Sequence, residues 1–148
     1  MSFSGRKIEL ASGAKDYEID QSAMFDLGNT VYLHRTPGSA GNRDRWTFSC
    51  WIKRSQVSVS AETALFGSYT DANNRDVLRF KSSDELEFQN VSGGTTYSKK
   101  SDAKYRDPGA WYHVVAVYDS ANSTADYRIR LYINGSEITN STGTDPSS

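Results

Sequence analysis

Glu85-Leu86-Glu87 sits in an alternating segment, so its two carboxylates project from one face of a strand. A pair of carboxylates is what glycoside hydrolysis needs, one as acid and the other as nucleophile or base. A solvated strand face shows the same spacing, and we expect that plainer role here. Asp71, Asn73, Asn74 and Asp76 crowd one short stretch. Oxygen ligands from such a loop suit Ca²⁺, with Asp71, Asn73 and Asp76 as the candidate ligands. The EF-hand pattern fails, because its sixth position is Asp76 rather than Gly and its twelfth is Ser82. An Asx-rich turn explains the same residues without metal. Asp119, Asn122 and Asp126 form a second such set. Apart from calcium, no cofactor is expected.

His34 and His113 are the only histidines. His113 shares strand parity with Trp111, Val115 and Val117, which suits a packed or interface residue better than a base. Cys50 alternates with Trp46 and Phe48 and is expected to be a buried, inert thiol. As the single cysteine, it excludes an internal disulfide framework and a cysteine-rich zinc site.

Aromatic side chains give the strongest binding signal. The chain carries nine Tyr, six Phe and three Trp, and Trp51, Tyr132, Tyr97 and Tyr105 fall on polar faces or in loops. Flat rings stack on sugars, while neighbouring Asn, Asp and Arg groups bond hydroxyls. Aromatic residues are also enriched at protein interfaces, so packing between sheets or subunits competes as the account of Trp51. Asn-x-Ser/Thr tripeptides start at Asn90, Asn122, Asn134 and Asn140, a chance outcome in a chain this rich in Ser and Thr.

The elements that must position these residues alternate with period two, the mark of half-buried strands. One face of Trp46–Lys53 holds Trp46, Phe48, Cys50 and Ile52; the other holds Thr47, Ser49, Trp51 and Lys53. Leu78 and Phe80 pair in the next segment, and Leu86 and Phe88 in another. Asp126–Asn134 turns Tyr127, Ile129, Leu131 and Ile133 inward. Trp111–Asp119 is apolar on both faces over Val114–Val117, which predicts a strand covered on both sides. Further strands are expected at Met24–Leu27, Val31–His34 and Ala64–Tyr69, and short ones near Ile8–Leu10, Tyr17–Ile19 and Thr96–Lys99. Turn residues punctuate them at Thr36–Asn42, Asp71–Asn74, Ser92–Gly94, Asp107–Gly109 and Asn134–Ser136. Asn134-Gly135 is the strongest two-residue hairpin signal. No helical stripe and no repeat stands out.

This pattern predicts an all-β jelly-roll sandwich of two antiparallel sheets over residues 22–139. Residues 1–21 form a polar arm or attachment segment. Residues 140–148 form a polar tail with no apolar face, so the sandwich is expected to be incomplete at its C-terminus. With 17 basic and 18 acidic residues the formal charge is −1, which argues against general nucleic-acid binding. The apolar runs fall far short of the ~20 residues that span a bilayer, and residues 1–7 lack a secretion signal's apolar stretch. No membrane insertion is expected.

Three stretches resemble concanavalin A-like or laminin G-like jelly-roll domains. They are Val31-Tyr-Leu-His-Arg-Thr-Pro-Gly with Arg45-Trp-Thr-Phe-Ser-Cys-Trp-Ile-Lys-Arg; Ala64-Leu-Phe-Gly-Ser; and Trp111-Tyr-His-Val-Val-Ala-Val-Tyr-Asp with Arg130-Leu-Tyr-Ile-Asn-Gly. The first, with its short lead, looks like domains of bacteriophage virion proteins such as tail fibres, spikes and capsid decorations. The resemblance implies a non-enzymatic virion structural protein at the particle surface. Its partners would be other virion proteins or copies of itself, and a trimer would suit a fibre or spike. Contact with a host-surface glycan would be an added task. The alternatives are a free carbohydrate-binding lectin module and, third, a glycoside hydrolase. Jelly-roll glucanases carry Glu-x-Asp-x-x-Glu on one strand. Here Asn90 stands where the last carboxylate of the Glu85 run belongs, and Ala23 where that of Glu18-Ile-Asp20 belongs. The resemblance also calls for more strands after Ile138.

Overall fold

A computed structural model describes residues 23–25, 32–139, 141–144 and 146. The chain divides into two units, residues 1–38 and 39–148. In the first unit, residues 23–25 and 32–38 have no regular secondary structure. The strand expected at Val31–His34 is therefore absent at 32–34, and that at Met24–Leu27 is absent at 24 and 25. Tyr32 and Leu33 lead directly into Pro37-Gly38, whose turn chemistry leaves little length for a ladder. The expected arm over 1–21, with its short segments at Ile8–Leu10 and Tyr17–Ile19, lies outside the described residues.

All nine described strands lie in the second unit: β1 (Arg45–Lys53), β2 (Thr63–Asp71), β3 (Asn74–Phe80), β4 (Glu85–Ser92), β5 (Thr95–Lys104), β6 (Trp111–Asp119), β7 (Ile129–Ile133), β8 (Ser136–Glu137) and β9 (Ser141–Thr144). They form two antiparallel sheets, a four-stranded one in the order β1-β6-β7-β8 and a five-stranded one in the order β2-β3-β4-β5-β9. This is the all-β sandwich that the alternation predicts. Tight turns join neighbours where the sequence supplies residues for positive φ. Gly93 and Gly94 take φ of 55° and 84° between β4 and β5, and Asn134 and Gly135 take 51° and 80° between β7 and β8. Positive φ at both central residues gives the twist that a right-twisted hairpin needs.

The core is the set of inward positions of the two sheets. Leu78, Phe80, Leu86, Phe88, Val114, Ile129 and Leu131 are fully buried, and Trp46, Phe48, Cys50, Ile52 and Ile133 pack against them. All but Val114, which was expected within a strand covered on both sides, are placed inward by alternation. Tyr127 was not placed correctly: it stands 53% exposed. β7 begins only at Ile129, because Ala125–Tyr127 forms a 3₁₀ turn in which the Tyr127 and Arg128 N–H groups donate to the Thr124 and Ala125 carbonyls rather than to β6. The expected cover on both sides of Val114–Val117 also fails. Val114 and Ala116 are buried, but Val115 and Val117 are only half-buried on the sheet's outer face.

The C-terminal stretch corrects a further expectation. Residues 141–144 are not a tail but an edge strand, paired to Ser98–Ser101 of β5. An edge strand needs main-chain partners and not an apolar face, so small polar residues suffice. Gly143 permits the approach, since a Cβ there would lie 1.9 Å from the Ser98 carbonyl oxygen. Arg128 fastens the end, donating to the carbonyls of Asn122 and of the buried Pro146.

Candidate functional site

The outer face of the four-stranded sheet is assembled by two registers. β1 pairs β6 so that Trp51 stands opposite His113, Ser49 opposite Val115 and Lys53 opposite Trp111. β6 pairs β7 so that Val115 stands opposite Tyr132 and Val117 opposite Arg130. Tyr132 in turn faces Glu137 of β8. Alternation sends every one of these side chains away from the core.

Trp51 and Trp111 are 55% and 53% exposed, which is unusual for the largest apolar side chain. Trp51 lies stacked on the His113 ring, centroids 4.9 Å apart and planes 19° from parallel. His113 Nε2 meets Ser49 Oγ at 2.9 Å, which fixes the imidazole and, through it, the indole. The Asn134 side-chain oxygen accepts from the His113 backbone N–H at 2.8 Å, tying the β7–β8 turn to the same strand. At the other margin Arg130 makes a two-pronged ion pair with Glu137, at 2.8 and 2.7 Å, and lies over the Tyr132 ring. The Arg130 bonds hold the Glu137 carboxyl below its usual range, and Glu137 holds the guanidinium protonated. Partial burial, with the Glu137 charge next, pushes the Tyr132 phenol up. The face thus offers exposed aromatic surfaces with fixed polar groups beside them.

Of the four expected binding aromatics, the structure brings only Trp51 and Tyr132 onto this face. Tyr97 is half-buried, turned toward the sandwich interior and packed against the core. Tyr105 is also interior. It meets Phe80 and Tyr112 edge-on, at 6.0 and 5.6 Å, and burial pushes its phenol up. Trp111 is an exposed aromatic of this face that sequence reasoning did not single out as a candidate. Its parity with His113 was visible, but its place beside Trp51 depends on the β1–β6 register.

The candidate calcium ligands are drawn apart. Asp71 closes the β2–β3 turn, where its Oδ1 accepts from the Asn73 N–H at 2.7 Å and both oxygens accept from the Asn74 amide at 3.1 Å. These bonds, led by that from the Asn74 side chain, lower its pKa. Asp76 lies within β3, not in the loop, and accepts from Ser68 and Asn90. Asn73 therefore serves an Asx turn. Among the described residues no three His, Cys, Asp or Glu side chains are grouped to hold a metal.

The glutamate pair is not the solvated face expected. Glu85 and Glu87 are 8% and 7% exposed, because β4 is the centre of its sheet and cationic neighbours lie over it. Glu87 joins Arg79 at 2.6 Å and Lys81 at 3.7 Å, and both cations also reach Glu62 at 2.8 Å, closing a four-member ring. The Ser83 hydroxyl bonds Glu85, whose pKa is lowered chiefly by that contact. A glycosidase acid needs the opposite shift. Cys50 is half-buried, and burial raises its thiol pKa. The thiol faces the core as expected but is less buried than expected.

Sheet order and site together define a β-sandwich with one aromatic outer face. Comparison with known proteins adds the family: the model for the concanavalin A-like lectin/glucanases superfamily, of the laminin G type, matches residues 27–148, and the chain belongs to that superfamily. No curated protein and no solved structure matches the chain.

Proposed function

We propose that this chain is a non-enzymatic structural protein of a bacteriophage particle — a tail fibre, spike or capsid decoration — whose four-stranded sheet contacts host-surface glycan. The observation that carries the binding role is the exposed Trp51 ring, stacked on His113, with Trp111 and Tyr132 on the same sheet face. An aromatic surface fixed before binding loses little entropy when a flat ligand settles on it. Membership of a superfamily of lectins and glucanases supports a saccharide as that ligand. The pairing of Glu87 with Arg79 and the lowered pKa of Glu85, whose carboxylate accepts from the Ser83 hydroxyl, support binding without hydrolysis. The virion assignment is supported by likeness of the Tyr32–Pro37 and Trp46–Arg54 segments to virion domains. Assembly with copies of itself or other virion proteins is supported by β1 and β2. These nine-residue strands each end a sheet among the described strands, and proteins seldom leave such edges bare.

A glycan array probed with the 148-residue chain and with Trp51→Ala tests the binding role. Selective retention of the parent chain, lost in Trp51→Ala without loss of fold, is expected. Equal retention of both would remove the aromatic face from the account. Gold-labelled antibody against the chain, imaged on purified particles, tests the location.

A further inference from the structure

We propose that the saccharide taken by the Trp51 face is an acidic one, bearing a carboxylate that Lys53 neutralises. This rests on the glycan-binding reading above and names the class of glycan. Three cations, Arg45, Lys53 and Arg130, project from this face among the described residues. Arg45 is paired with Asp119 at 2.9 Å, and Arg130 is clamped by Glu137. Both are already neutralised inside the fold. Lys53 projects from the same face and makes no ion pair or side-chain hydrogen bond among the described residues. Its neighbours are the two exposed indoles. Trp111 stands directly opposite it on β6. Trp51 is two residues back on the same side of β1, about 7 Å along the strand.

An unpaired ammonium on a solvated face is ordinary by itself. Beside two half-exposed tryptophans, with Arg45 and Arg130 occupied, it is an uncompensated cation, among the described residues, where a stacked ring would sit. His113 backs the opposite side of Trp51 and is committed to Ser49, leaving the outward side of the indole to the ligand. A sugar ring on that side would carry its substituents over β1, where Lys53 is within a side chain's length. A neutral sugar would leave the ammonium unmatched, whereas a uronic or sialic acid would pair with it. Lysine suits this task as a point charge on a flexible stem, since it needs no fixed fork geometry.

The experiment uses matched glycan pairs, each a uronate- or sialate-bearing oligosaccharide and its carboxyl-reduced counterpart, titrated into the 148-residue chain with indole fluorescence as readout. The acidic member of a bound pair is expected to bind roughly 2- to 5-fold tighter, the range of one exposed ion pair. That preference should vanish near 1 M salt, where the Debye length is ~3 Å. Lys53→Met, which keeps the length of the stem, should erase the preference and leave affinity for the reduced member unchanged. Far-UV circular dichroism verifies its fold. Equal binding of both members, abolished by Trp51→Ala, would overturn the acidic-ligand proposal and leave the glycan face standing. A preference that survives in Lys53→Met would overturn the role of Lys53. No binding of any pair would overturn the glycan reading and this inference with it.

Discussion

Asp84 is the most consequential single side chain outside the hydrophobic core, and replacing it should cost far more than its place in a loop suggests. Its carboxylate is 1% exposed, and four donors converge on it. Arg54 Nη2 and Ser58 N–H reach Oδ1 at 3.0 and 2.8 Å, while Ser58 Oγ and Arg106 Nε reach Oδ2 at 3.0 and 2.8 Å. Arg54 is as buried as its partner, lies over the Phe80 ring at 4.3 Å, and donates its other arm to the Tyr105 carbonyl at 2.5 Å. This node joins the residue that follows β1 to the β3–β4 turn in the opposite sheet, and so anchors the end of the strand that carries Trp51 and Lys53.

Asp84→Asn preserves size and tolerates the positive φ of 73° at this position, so the change isolates the charge. It turns an amide toward two guanidinium groups and leaves Arg54 as a buried cation, with its Nε already lacking a partner. Removing one member of a buried pair costs about 3–5 kcal/mol, against a total stability of roughly 5–15 kcal/mol. Urea unfolding should show the loss as a lower midpoint at unchanged slope. In a double-mutant cycle, Arg54→Met with Asp84→Asn should cost clearly less than the sum of the single changes. Burial by itself would raise the Asp84 pKa. The Ser58 N–H, Arg106, Ser58 hydroxyl and Arg54 bonds outweigh it and hold the carboxyl far below the usual range. A carboxyl depressed in the folded state stabilises above its unfolded pKa of about 3.9 and loses that contribution as pH falls toward its folded value. The parent chain should therefore lose stability below about pH 4, with a shallower slope in Asp84→Asn. A loss under about 1 kcal/mol, or additive single and double changes, would refute the reasoning.

Three further outcomes follow from the geometry. Phe88→Ala, at a fully buried position in contact with Trp46 and Tyr118, should lower stability by about 3–5 kcal/mol, measured by urea or thermal unfolding. Gly143→Val should detach β9, seen as lost hydrogen-exchange protection at those amides of Ser98–Ser101 that donate to β9, while the β3–β4 ladder stays protected. Glu137→Gln breaks a partly exposed pair and should cost about 1 kcal/mol, and the Tyr132 phenol, relieved of one nearby negative charge, should titrate at lower pH by ultraviolet absorbance.

What the sequence determined by itself was the division of each strand into an inner and an outer face. Trp46, Phe48, Cys50 and Ile52 against Thr47, Ser49, Trp51 and Lys53 follows from pleating, because a period of two leaves no other arrangement once one face is apolar. Leu78, Phe80, Leu86, Phe88, Ile129 and Leu131 follow in the same way, and Asn134-Gly135 marked its own turn. The tertiary structure decided what stands beside what. Pairing energies along a strand are nearly uniform, so nothing in Trp51 or in Trp111 specifies that β1 and β6 adjoin with Trp51 opposite His113. Glu85 and Glu87 looked solvated because their own strand leaves them outward. Their burial comes from Arg79 and Lys81 of other segments and from β4 being central. Asp84 gave no signal at all, since its partners Arg54, Ser58 and Arg106 lie 22 to 30 residues away in sequence. Residues 141–144 became a strand because β5 offered a free edge, and main-chain bonding to an edge makes no demand on side-chain polarity.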